Sequence, residues 1–327
     1  MLIGMVYDVR DDYRNSGWDE EQLAEFDQPE TIDAIEQALR SDGHRVERIG
    51  RGRVVAQALA AGRRWDLVFN IAEGVGGRGR EAQVPALLEL YDQPHLFSDA
   101  VTLGVTLDKA LCKRLARDAG CTTAPFARLE RVEDLESLDL SFPLFLKPIA
   151  EGSGKGCGPG SRVVDREGLR SIFLGLRDRF GQPVLAETHL PGREFTVAIV
   201  GNGETIRLAL VAEILFEACE DDGVYAFATK EESATRVSYR LVEDPEAKQA
   251  LDAGLTLYRL LGCRDAGRLD FRSDEQGCPH FLEINPLAGL HPRLSGFPRM
   301  AALHGWSYDR LILSMLEGGV ARMAGRE

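Results

Sequence analysis

Two apolar runs near the C-terminal end carry acids where a strand interior should be apolar: Gly267-Arg268-Leu269-Asp270-Phe271 and Phe281-Leu282-Glu283-Ile284-Asn285-Pro286. Each is short, and a turn-length segment separates them, so they are expected to form neighbouring strands. Glu283 and Asn285 are two apart and share one face of a strand. If the run holding Asp270 pairs with theirs, three oxygen donors converge on one point. Such a donor set suits Mg²⁺, which takes oxygen ligands and keeps water or phosphate in its other positions. The competing reading is a hairpin edge with solvated acids. The acids interrupt runs of buried type and Arg268 sits among them, which favours the metal.

The rest of the chain leaves room for a large site. Its 327 residues suffice for two or three domains with real cores. The net charge of -13 argues against nucleic acid or an anionic membrane as partner. No apolar run approaches a membrane span and no export signal is recognisable, so the expected compartment is the cytoplasm. The six cysteines show no CxxC pair, and reduced thiols are expected.

From Leu2 to Leu90 apolar strand patterns alternate with helical ones: Leu2–Tyr7, a helix carrying Ile32, Ile35 and Leu39, His44–Ile49, Val54–Ala60, Asp66–Ile71 and a helix over 81–90. Alternation of this kind implies a parallel sheet covered on both faces. Asp8–Asp27 is polar and reads as a loop or mobile segment. A first α/β domain is placed at 1–98. A small strand-and-helix unit follows at 99–184, with a helix over 107–119. The remainder, 185–327, opens on the hinge-like strand Val184–Glu187 and ends in helices.

Between Gly152 and Gly160 five of nine residues are glycine. Glycines let backbone N–H groups approach an anion. The order fits neither a Walker loop nor a dinucleotide fingerprint, and a flexible linker is the alternative. Lys147, at the end of the apolar strand Phe142–Ile149, favours a phosphate-closing flap, because a lysine there needs an anion. Lys109 alone would be a surface lysine, and Glu187 and Glu194 alone would be solvated acids. Together, flanking Leu190-Pro191-Gly192, the two acids could serve a ribose and an adenine lying along the hinge.

The succession of Lys109, Lys147 with its glycine loop, Val184-Leu185-Ala186-Glu187, Arg193-Glu194-Phe195-Thr196-Val197, Gly267–Phe271 and Leu282-Glu283-Ile284-Asn285-Pro286-Leu287-Ala288-Gly289 resembles the ATP-grasp superfamily, and within it the D-alanine–D-alanine ligase family. The similarity runs from the Asp66 strand to the C-terminus. It implies a three-domain ATP-grasp architecture, α/β at the N-terminus and α+β in the ATP-grasp part, with ATP bound between the central and C-terminal domains. It implies an ADP-forming ligase that joins a carboxylate to an amine through an acyl phosphate. By that resemblance Lys109, Lys147 and Lys230 hold the phosphates, and Gly152, Ser153 and Gly154 close over them. Glu187 lies at the adenine and Glu194 at the ribose. Asp270, Glu283 and Asn285 bind two Mg²⁺ ions, with Mn²⁺ as a substitute. Arg268 and the Gly289 N–H form the oxyanion site, and Ser295 meets the acceptor carboxylate.

Departures from the family pattern cluster at the amino-acid pocket. The family's N-terminal glutamate element has no clean match, and Glu30 is the nearest counterpart. The tyrosine expected after the lid lysine is Glu231, the proline before Gly289 is Ala288, and His291-Pro292-Arg293 follows. The expectation is ATP use retained and substrate changed, with Glu30, Glu231, His291 and Ser295 around amino-acid or peptide substrates. A true D-alanine–D-alanine ligase and a non-catalytic nucleotide-binding module are the alternatives. The resemblance further implies a homodimer, for which the 81–91 helix is available.

Overall fold

The computed structural model describes residues 1–14, 17–216 and 237–325. Strands β1 (Leu2–Val6), β2 (Arg45–Gly50) and β3 (Leu67–Asn70) form a parallel sheet in the order β2-β1-β3. Between them run α1 (Asp11–Arg14), α2 (Pro29–Ser41) and α3 (Gly52–Ala60), and α4 (Gln83–Leu90) follows. β3 is buried throughout, as a strand covered on both faces must be. α2 buries Ile32, Ile35, Ala38 and Leu39, the spacing of one helical face.

The helix expected over 107–119 is α6 (Lys109–Asp118), and a helix not read from the sequence, α5 (Ala100–Leu107), precedes it. Asp108 breaks them: its backbone is extended and its carboxylate accepts from the Leu111 N–H at 3.0 Å, an N-cap that starts α6 at Lys109. Next come β4 (Phe126–Leu129), β5 (Leu144–Pro148), β6 (Arg162–Val163), α7 (Arg166–Phe180) and β7 (Val184–Thr188). These strands make an antiparallel sheet in the order β4-β7-β5-β6, with α7 packed against it.

The third sheet, also antiparallel, has the order β10-β9-β8-β11-β12. Its members are β8 (Glu194–Asn202), β9 (Thr205–Phe216), β10 (Val237–Leu241), β11 (Ala266–Ser273) and β12 (Pro279–Asn285). Helices α8 (Pro245–Leu260), α9 (Gly296–Leu303) and α10 (Tyr308–Met323) cover it. α10 also packs on α2, and one buried cluster joins Ile3, Met5, Ile32 and Leu39 to Leu311, Ile312, Met315 and Leu316.

The 8–27 segment, read from sequence as a loop or mobile stretch, is packed over its described residues. Tyr13, Trp18 and Phe26 stack with centroids 4.5–5.7 Å apart, and Leu23 is buried beneath them. Asp8 is buried and takes the Tyr13 hydroxyl. Its other oxygen accepts from the Gly74 N–H at 3.0 Å. A few aromatics spaced through a polar run are a weak sequence signal, because their burial depends on partners far along the chain.

Candidate active site

One deep cleft runs between the four-stranded and five-stranded sheets, with the β3–α4 loop and the 152–157 loop at its border. The β11–β12 register places Asp270 opposite Glu283 and Arg268 opposite Asn285, so all four side chains project from one face into the cleft. β8 adds Thr196 opposite Asp270 and Glu194 opposite Arg272. The Thr196 hydroxyl donates to Asp270 at 2.8 Å, and Arg268 grips the same carboxylate through Nε at 3.1 Å and Nη2 at 2.8 Å. The Asn285 amide donates to Asp270 at 3.4 Å. This convergence is the one expected from the spacing of the two runs.

Facing it are two lysines. Lys109 Nζ is 3.1 Å from Glu283 and also donates to the Glu151 carbonyl. Burial would raise the Glu283 carboxyl, but Lys109, Lys147 and Arg268 outweigh it and hold the group at about 2. Lys147, at the end of β5, lies 2.7 Å from Glu187 on β7. The other Glu187 oxygen is 2.8 Å from Lys113 Nζ, which is fully buried and donates to the Phe281 carbonyl at 2.7 Å. Burial raises the Glu187 carboxyl as well, yet these two ammonium groups pull it down to about 2. Glu194 differs: burial pushes it up to about 7 against the pull of Arg272, 3.2 Å away.

Lys113 was invisible to sequence reasoning. In Lys113-Arg114-Leu115-Ala116-Arg117 it looks like one cation of a solvated helix face, and only tertiary packing turns it inward.

Gly152, Ser153 and Gly154 line the cleft, and Ser153 has a left-handed backbone at φ 57°. Glu25 holds this loop. It accepts from the Gly152 N–H at 2.5 Å, sits 3.1 Å from Lys155, and both its oxygens accept from Arg80 Nη2, at 2.9 and 3.0 Å. Burial would raise Glu25, but Arg80 and Lys155 lower it. Glu25→Gln is therefore expected to loosen the loop: the KM for ATP rises about tenfold with a smaller change in kcat, and protease cutting within 152–160 accelerates. Steady-state kinetics and timed proteolysis of the same preparations check this.

Glu30 stands outside the cleft. It is half exposed and pairs with His291 at 3.3 Å and with Arg293 at 2.5 Å. His291 is buried, and its Nδ1 accepts the N–H groups of Arg293 and Leu294, both at 3.2 Å. Ser295 precedes α9, and its hydroxyl accepts from the His291 N–H at 3.0 Å. Neither His291 nor Ser295 lines the cleft, whereas Gly289 does. A Cβ on Gly289 would lie 2.8 Å from the Ser295 hydroxyl and would push it off the His291 N–H. Lys230 and Glu231 fall outside the described residues, as does the rest of 217–236.

The Cys157 thiol lies in the cleft, where burial pushes it up to about 11. It is therefore a protonated thiol and a poor nucleophile at neutral pH.

A family model described as D-ala D-ala ligase C-terminus matches residues 115–317. The chain belongs to the D-alanine–D-alanine ligase family. A D-alanine–D-alanine ligase of Gluconobacter oxydans is 33% identical over 296 residues, 89% of this chain and 93% of that one. An uncharacterized protein, y4sG, of Sinorhizobium fredii is 32% identical over 79% of this chain and 76% of its own length. Among solved structures, a Bacillus anthracis D-alanine–D-alanine ligase complexed with ATP superposes over the whole of both chains with a TM-score of 0.75 at 20% identity. VanG D-Ala:D-Ser ligase of Enterococcus faecalis gives a TM-score of 0.74 at 18% identity, over 97% of this chain and 99% of that one. The fold is thus ATP-grasp, and the chain is an ATP-dependent, ADP-forming ligase of carboxylates and amines. Among the described residues no helix is long and apolar enough to cross a membrane.

Proposed function

We propose that this ligase activates an amino acid or small peptide as its acyl phosphate in the β11–β12 cleft and passes the acyl group to the amine of a second one, with a substrate pair changed from D-alanine and D-alanine. The observation that carries the reading is the placement of Asp270 opposite Glu283, with Lys109 and Lys147 on the facing wall of the same cleft. A carboxylate oxygen attacks the γ-phosphorus and ADP leaves. An amine nitrogen then attacks the acyl carbon and phosphate leaves. Positioning and charge neutralisation dominate such transfers. Lys109 and Lys147 would turn from Glu283 and Glu187 to the phosphates. Arg268 and the Gly289 N–H would meet the oxyanion of the second step, where one such donor is worth roughly 10²–10³ in rate.

Asp270, Glu283 and Asn285 fit magnesium as hard oxygen donors on one strand face. When bound there, Mg²⁺ would neutralise charge on the transferring phosphoryl group. Glu194 is suited to a ribose hydroxyl, with Glu187 deeper along the hinge. The units 1–98, 99–184 and 185–327 are proposed to move as three bodies around the nucleotide. A homodimer through α4 fits the exposure of Leu90, which is 78% accessible.

A second reading, D-alanine–D-alanine ligase proper, is favoured by the names and coverage of the Gluconobacter oxydans relative and others like it. ADP release with Mg²⁺ and ATP, screened over D- and L-amino acids, separates the two. Efficient D-Ala–D-Ala synthesis would retire the changed substrate. Tight ATP binding with no release for any acceptor would retire catalysis.

A further inference from the structure

The β11–β12 hairpin turns over 274–278, at its far end from Glu283 and Asp270. Four residues of strand separate Asp270 from Asp274, a distance of about 13 Å. At the turn one oxygen of Asp274, the Cys278 sulfur and one ring nitrogen of His280 lie within 4.8 Å of one another. His280 Nε2 is 3.0 Å from Asp274 Oδ2. Among the described residues this is the one group of three histidine, cysteine or acidic side chains whose ligand atoms converge so closely.

The turn itself needs only one of the three side chains. Asp274 Oδ1 accepts from the N–H groups of Gln276 and Cys278, both at 2.9 Å. These bonds use the backbone of residue 278 and would form with any side chain there. They also fix the carboxylate with Oδ2 at the imidazole, the kind of outer support that orients a metal ligand. The Cys278 thiol is partly buried and free of a disulfide. Unlike Cys112, Cys121 and Cys263, Cys278 joins no apolar cluster among the described residues. The His280 side chain is 12% accessible and is held on β12 opposite Arg272, whose charge is met by Glu194 at 3.2 Å.

Thiolate, imidazole and carboxylate together select a borderline, tetrahedral cation over hard magnesium. We propose that Asp274, Cys278 and His280 bind Zn²⁺, with water in the fourth position, at a site separate from the oxygen donors of the cleft. Nitrogen and oxygen ligands of a tetrahedral zinc stand about 3.3 Å apart, so the Asp274–His280 spacing needs little change. The metal takes the place of the proton between Nε2 and Asp274, which moves to Nδ1, and the thiol gives up its proton to solvent. Nδ1 is buried with no hydrogen-bond partner among the described residues. That missing support should hold the affinity roughly 10- to 100-fold below that of a site with a partnered imidazole. The site does not depend on which substrates the ligase joins.

The test is a Co²⁺ titration of the full, reduced chain in saturating Mg²⁺, followed by absorbance. A cobalt ion among the oxygen donors of the cleft gives no thiolate band, so the two sites are told apart. One equivalent of Co²⁺ is expected to raise a thiolate-to-cobalt charge-transfer band with tetrahedral visible bands, and one equivalent of Zn²⁺ to abolish both. Cys278→Ser should remove the charge-transfer band, whereas Cys121→Ser and Cys157→Ser should keep it. Asp274→Asn and His280→Ala, checked for folding by circular dichroism, should each weaken Zn²⁺ binding about tenfold or more in competition with a chromophoric chelator. Absence of the band in the unaltered chain, a band that survives Cys278→Ser, or unchanged Zn²⁺ affinity in both other variants would overturn the proposal.

Discussion

Glu283→Ala should yield a folded protein whose Mg²⁺-dependent ADP release falls by about 10³-fold or more. The carboxylate projects into the cleft opposite Asp270, and its side chain remains 24% accessible, so its loss opens no core cavity. What disappears is an acidic oxygen held ionised by Lys109, Lys147 and Arg268. Lys109 keeps its bond to the Glu151 carbonyl and is not stranded. Circular dichroism and thermal midpoint should therefore change little while turnover collapses. Glu283→Gln, which keeps shape and one neutral oxygen, should be nearly as slow. Unchanged activity in either variant would remove Glu283 from the proposed metal set.

Lys113→Met is expected to act in the opposite way, on stability first. The ammonium is fully buried between Glu187 and the Phe281 carbonyl. Methionine fills the volume but leaves a buried carboxylate with one cation instead of two. Removing one partner of a buried pair costs about 3–5 kcal/mol, and urea unfolding of the full chain should read a loss of that order. The same triad sets an acid limit. The folded protein holds Glu187 at about 2, below its ordinary value of 4.5. Its contribution is present above about pH 4.5 and is lost as pH falls toward about 2. In Lys113→Met that loss should still start near pH 4.5 but be smaller and complete at a higher pH, since part of the depression has gone.

The half of the site proposed for phosphoryl transfer is legible in the chain because strand side chains repeat with period two. Asp270, Glu283 and Asn285 declare a shared face as soon as their runs are paired, and the register follows from the apolar residues between them. Lys147 and the glycine loop were legible because a lysine ending an apolar strand demands an anion. The substrate half was not. Glu25 lies in a polar segment and finds the loop 127 residues away at Gly152, a contact that no local pattern encodes. Glu30, the nearest counterpart of the family's N-terminal glutamate in the sequence, pairs instead with His291 and Arg293 at the surface of α2. The helix expected over 107–119 is α6, started at Lys109 by the Asp108 cap, and α5 before it is not legible because Val101, Thr102, Gly104, Val105 and Thr106 are weak helix formers.

The shared cluster of α2, β1 and α10 bears on how the chain is made. Ile3, Met5 and Leu39 emerge from the ribosome early, but Leu311, Ile312, Met315 and Leu316 come almost last. At roughly 5–20 residues per second, the first sheet waits on the order of ten seconds to a minute for its covering helix. Through that interval an apolar face stays open in the nascent chain, so the amino-terminal third is a natural client for a holding chaperone, and expression yield should depend on the last helix more than on any loop.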